Sequence, residues 1–149
     1  MNETLIKSLE DYYDVIIIIK PPEYFSNPAC SGEASMEDGE VYINKKIEHL
    51  NGKFLCAVLH EIGHIHCYRN KIFKHYHTDK YFEDMTSKEK RLFYATGLKA
   101  ERYCDKFASK ELLKWNKRVK YPFPYSTYAD GIKMYKKHYL SKYKPETKA

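Results

Sequence analysis

No stretch of this sequence is long and apolar enough to cross a membrane. Its most apolar run, Val15 to Ile19, falls far short of the ~20 residues a spanning helix needs, so no membrane partner is expected. The opening residues Met1-Asn2-Glu3-Thr4 lack the basic start and apolar core of a secretory signal, which predicts an intracellular, cytoplasmic protein. Cys-x-x-Cys pairs are missing too. Cys30, Cys56, Cys67 and Cys104 are widely spaced, and without a secretory signal they read as free thiols. Cys67 and Cys104 read as small packing residues. Phosphate-binding glycine loops and nucleophile elbows are absent, which removes two common routes to enzymatic chemistry. There are no repeats and no second domain. Residues 1–149 are therefore read as one domain with a real core. Charge of one sign is not in great excess either. The 26 basic and 20 acidic residues give a net charge of +6, and their mixing along the chain favours a solvated surface over a nucleic-acid interface.

What the sequence does have is a 43% apolar fraction, fifteen tyrosines, seven phenylalanines and one chemical motif. Leu59-His60-Glu61-Ile62-Gly63-His64 is a His-Glu-x-x-His pattern inside an apolar run. On a helix, residues four apart share a face, so His60 and His64 can bind one metal ion together. Glu61 lies about 100° further round, where it can serve as general base toward a metal-activated water, as in zinc peptidases. The context is helical. Phe54, Leu55, Val58, Leu59, Ile62 and Ile65 recur at three- and four-residue spacing, as in a largely buried helix. Asn51 or Gly52 opens it and Asn70 lies near its end.

A third ligand is needed. Glu101 and Asp105 stand four apart in a strongly helical stretch. This suits a carboxylate ligand followed one turn later by a carboxylate that fixes the tautomer of a ligating imidazole. Two His, one Glu and a water make a tetrahedral catalytic site, for which Zn²⁺ is the favoured ion. A rival third ligand, His77, sits beside His75 in the interval between the two motifs. Metzincin spacing fails, because its third histidine would fall on Asn70.

His60-Glu61-Ile62-Gly63-His64 followed by Glu101-x-x-Cys104-Asp105-x-Phe107-Ala108 resembles the ImmA/IrrE-type metallopeptidases, within the gluzincin group. The resemblance covers roughly residues 30 to 113. Cys104 stands where the family usually has alanine, and the interval from His64 to Glu101 is long for the family. The resemblance implies an α+β, zincin-like domain: a small antiparallel or mixed sheet on an active-site helix and a second ligand-bearing helix. It also implies a zinc-dependent endopeptidase acting on a regulatory protein, with His60, His64 and Glu101 as ligands and Glu61 as base. The segment His77 to Phe82 is similar to part of the SprT-like zinc proteins, in which His77 would be the ligand.

The remaining elements follow from local pattern. Residues 2 to 13 read as an amphipathic helix and Val15 to Ile19 as a strand buried on both faces. Lys20-Pro21-Pro22 ends that strand, and residues 21 to 30 form a loop. Ser31 to Met36 and Glu40 to Asn44 read as a hairpin closed by Glu37-Asp38-Gly39. One strand of it is expected to be a sheet edge beside the cleft, able to pair with an extended peptide. Residues 66 to 85 read as irregular. Thr86-Ser87-Lys88-Glu89 is a capping box opening a helix to about Trp115, with a break plausible at Gly97. Leu92, Phe93, Leu98, Phe107, Ala108, Leu112 and Leu113 are its expected packing face. Tyr121 to Tyr125 reads as extended, Ser126 or Thr127 to Tyr143 as a basic aromatic helix, and 144–149 as frayed. The competing functional class is a metal-stabilised protein that binds a partner or nucleic acid without hydrolysis. A structural metal site of that kind has no need of Glu61 beside His60.

Overall fold

The computed structural model describes residues 3–73 and 80–115. The first helix, α1 (Glu3–Tyr13), forms because Leu5 and Leu9 fall on one face and both are buried. It stops at Asp14, whose φ of 55° is a left-handed conformation that aspartate tolerates better than most residues. The turn is held from across the fold. Arg69 donates to the carbonyl oxygens of Tyr13 at 2.9 Å and Asp14 at 2.6 Å.

Three strands follow: β1 (Ile16–Lys20), β2 (Gly32–Ser35) and β3 (Glu40–Asn44). They form one mixed sheet in the order β1-β3-β2. β3 is central, parallel to β1 with Ile17 opposite Val41, and antiparallel to β2 with Gly32 opposite Ile43. The hairpin is present, its turn spanning 36–39, although β2 is shorter than expected. β1 corrects the sequence reading, because it is an edge strand and not buried on both faces. Ile17 is buried but Ile16 is 52% exposed. The β-branched run reflects a strand's preference for a pleated surface. Only residues on the face that meets the helices, Ile17, Val41 and Ile43, join the core.

α2 (Asn51–Arg69) lies between this sheet and α3 (Ser87–Trp115). Sandwiched so, it buries Phe54, Leu55, Val58, Leu59, Ile62 and Ile65 around most of its circumference, which is why its apolar residues form no narrow stripe. It runs into the region expected to be irregular, ending where Asn70 donates its side-chain amide to the His66 carbonyl at 2.8 Å. His75 and His77 lie outside the described residues.

The capping box at the start of α3 is reciprocal. Thr86 N donates to Glu89 Oε1 at 3.1 Å, and Glu89 N donates to Thr86 Oγ1 at 3.1 Å. α3 then runs unbroken through Gly97, contrary to the expected break. Gly97 is buried, and the ~1 kcal/mol helical penalty of a glycine is smaller than the loss of packing that a break would bring. The packing face also needs correction. Ala100, Cys104, Ala108, Leu112 and Trp115 are buried, whereas Leu92 is 45% and Leu113 75% exposed. Trp115 Nε1 donates to Tyr13 Oη at 2.8 Å, tying the end of α3 to α1.

The architecture is thus α+β, with three helices and a three-stranded mixed sheet among the described residues. No described helix is long and apolar enough to cross a membrane. All four cysteines are free. The expected extended segment 121–125, the helix to Tyr143 and the frayed end at 144–149 lie outside the described residues.

Candidate metal centre

The site forms where α2 and α3 pack against each other around Gly63 and Cys104. Gly63 sets that approach: a Cβ placed there would lie 3.1 Å from Cys104 Cα, 3.2 Å from its Cβ and 3.3 Å from its Sγ. With hydrogen in its place, the turn carrying His60 and His64 meets the turn carrying Glu101 and Asp105. All four side chains, and Glu61, are buried.

The contacts are specific. His60 Nε2 lies 2.8 Å from Glu101 Oε2, and His64 Nε2 lies 3.1 Å from Glu101 Oε1. One carboxylate therefore faces both imidazoles. His60 Nδ1 lies 2.9 Å from Asp105 Oδ1. A carboxylate can only accept there, so the pairing places a proton on Nδ1 and turns Nε2 toward the Glu101 side, where it could serve as a metal ligand. The sequence left open which imidazole Asp105 would hold; the structure identifies it as His60.

Electrostatics follow from burial and pairing. Burial alone would lower the His60 pKa, but Asp105 and Glu101 outweigh it and raise it well above the ordinary 6.5. His64 is raised in the same way, Glu101 overcoming burial. Burial would raise Glu101, yet the two imidazoles hold it far below the usual carboxylate range. Glu61 is raised by burial, against the opposing pull of His64 and His60. It makes no hydrogen bond or ion pair among the described residues. Its Cγ lies 3.6 Å from where a Cβ on Gly32 would sit, so its side chain packs against edge strand β2.

The donor set suits a metal ion. Ligand atoms of His60, His64 and Glu101 all lie within 4.8 Å of one another. Donors ~2.1 Å from a tetrahedral ion are about 3.4 Å apart, a spacing that a modest rearrangement of these side chains would reach. Two nitrogens and one oxygen form a borderline donor set compatible with zinc, although the arrangement does not single out one metal. Cys67 and Cys104 are fully buried and, among the described residues, belong to no metal-competent group. They pack, as expected from the sequence.

Two contributors were missed in the sequence, Gly63 and Gly32. Each allows close approach between elements distant along the chain. A glycine inside a strongly apolar helical run was the available signal for Gly63. Gly32 had none, since its neighbours Tyr42 and Ile43 are met only through strand pairing. Comparison of the chain with protein-family models, with curated proteins and with solved structures finds no match.

Proposed function

We propose that this chain is a small zinc-dependent endopeptidase with a zincin-like site of the ImmA/IrrE type, acting on a regulatory protein. The observation that carries this reading is Glu61, a buried carboxylate engaged by no described partner, adjacent in sequence to one imidazole of a two-His, one-Glu donor set. A purely structural metal site would gain nothing from burying such a carboxylate, whose charged form costs free energy where it is not paired or hydrogen-bonded.

His60, His64 and Glu101 would hold the ion, which when bound supplies Lewis acidity to a peptide carbonyl and to the attacking water. Glu61 accepts the proton of that water and later delivers it to the leaving amine nitrogen. Burial raises its pKa above the ordinary carboxylate value, which makes it a better proton acceptor than an exposed carboxylate. Asp105 keeps His60 in the tautomer with Nε2 free. The β2 edge aligns an extended peptide beside Glu61. Ser31 O accepts from Asn44 N at 2.9 Å, and antiparallel alternation then turns the backbone groups of Gly32 and Ala34 outward; Cys30 Sγ donates to Gly32 O at 3.0 Å, which leaves the Gly32 N–H and the groups of Ala34 for a peptide.

Elemental analysis and peptide cleavage test this reading together. Wild type should carry about one metal ion and cleave peptides until a chelator is added. Glu101→Ala should lose the metal, and Glu61→Gln should keep it while losing ~10²–10⁴-fold in rate. Metal retained in Glu101→Ala but lost in His77→Ala would move the ligand to His77, as in the SprT-like proteins. Wild-type protein that holds the ion and cleaves nothing would overturn catalysis in favour of a metal-stabilised binding protein.

A further inference from the structure

The face of α3 turned away from the metal centre is cationic along its length. Lys88, Arg91, Lys99, Arg102, Lys106 and Lys110 are all exposed, and at ~100° per residue they fall within about 100° of arc. Leu92 and Ala95, also exposed, lie in the same arc and interrupt the run of charge between Arg91 and Lys99. The buried face, including Ala100, Cys104 and Ala108, lies on the opposite side. None of the six cations makes an ion pair among the described residues. The acids of α3 are engaged elsewhere: Glu89 with Lys80, Glu111 with Lys114, and Glu101 and Asp105 inside the site. Like charges three and four apart on a helix repel, and no ion pair among the described residues offsets that cost.

We propose that this stripe binds the phosphate backbone of double-stranded DNA without reading its sequence. The stripe runs from residue 88 to 110, about 33 Å at ~1.5 Å per residue, which is close to the ~34 Å of one B-form helical turn. Single strands are a poorer fit, because the stripe carries no aromatic ring on which bases could stack. It also lacks the asparagine and glutamine side chains that read base edges, so affinity comes from charge alone. Docking there leaves the metal centre uncovered, on the other side of the helix. The proposal does not depend on catalysis or on bound metal.

The test is fluorescence anisotropy of the full chain with a labelled DNA duplex of about two helical turns, titrated across salt concentrations. Wild type should bind at low salt, with log K falling linearly as log salt rises. Lys99→Gln/Arg102→Gln/Lys106→Gln should weaken binding roughly 100-fold near 0.1 M salt and flatten the slope by about 3, since each lost phosphate contact contributes ~0.9. Glutamine keeps helix propensity, and circular dichroism confirms folding. A control with equal loss of charge, Lys45→Gln/Lys46→Gln/Lys53→Gln, removes three exposed lysines that lie outside α3 and should lose far less. Equal loss in both variants would overturn the proposal, leaving only net charge. So would wild-type affinity in the α3 variant. Binding to polyglutamate but not to the duplex would overturn it in favour of an acidic protein partner.

Discussion

The two edges of the sheet are treated in opposite ways. At β1 the outward N–H of Ile17 is occupied by the Glu10 carboxylate of α1, 2.9 Å away, so a strand approaching from that side meets a negative charge where it needs a free donor. At β2 the outward backbone of Ala34 has no such guard among the described residues, and Glu61 lies directly behind Gly32. Open edges invite unwanted pairing, and folds usually blunt them. One guarded edge and one open edge beside a buried carboxylate is the arrangement expected where the open edge is used.

That contrast can be broken most strongly by emptying the metal site proposed to lie beside the open edge. Protons and metal compete for Nε2 of His60 and His64. Because both pKa values are raised above 6.5, the competition begins at higher pH than for ordinary histidines. Metal affinity should fall up to ~100-fold per pH unit where both imidazoles are protonated, read by metal-indicator titration. The sign for stability of the chelated protein is the reverse. The raised imidazoles stabilise it below about 6.5, and this is lost as pH rises through their folded values. Glu101, held low, stabilises it above about 4.5, and this is lost as pH falls through its folded value. Glu61, raised by burial, also favours the folded state less as pH rises. The melting temperature of chelated protein should therefore be highest between about 4.5 and 6.5, and added zinc should raise it more at pH 8 than at pH 6.

Next in size is Gly32→Ala. The new methyl would sit 2.7 Å from the Tyr42 carbonyl oxygen and 2.9 Å from Ile43 Cδ1. Backbone cannot yield as a side-chain tip can, so β2 must shift. Denaturant unfolding should show a loss of ~1–3 kcal/mol, and kcat should fall more than KM changes, because the shift moves the strand against Glu61. Ala34→Pro is gentler. It removes one outward N–H without breaking a bond to β3, so kcat/KM for peptides should drop about tenfold, the value of one hydrogen bond, with the melting temperature nearly unchanged. Equal activity in the variant would mean that the open edge does not hold the substrate.

The site was more legible than the sheet that flanks it. His60, His64, Glu101 and Asp105 were readable because helical spacing is a local rule, and it places ligands on a face without knowledge of the fold. The hairpin was equally local, written in Asp38-Gly39. What escaped depended on partners far along the chain. The edge position of β1 follows from its parallel pairing with β3, more than twenty residues away. The burial of Trp115 depends on Tyr13, and the continuity of α3 through Gly97 goes with the burial of that residue. Leu92 and Leu113 looked like core because they are apolar, yet on the outer arc of the helix both stay exposed among the described residues. The tautomer of His60 needed both helices at once.

The smallest expected effect tests the guarded edge. Glu10→Ala removes the acceptor of Ile17 N–H at a half-buried position where water can take its place, so the folded state should lose only about 1 kcal/mol. The more telling change is in association. With its donor free and no carboxylate to repel an incoming strand, β1 becomes a second open edge, and light scattering should show mass rising with concentration where the wild type's does not. Glu10→Gln separates the two roles, because the amide oxygen still accepts from Ile17 while the charge is gone. If Glu10→Gln behaves as wild type, occupation of the N–H is what guards the edge. If it associates like Glu10→Ala, charge is the guard, and raising the salt concentration should make wild type associate too.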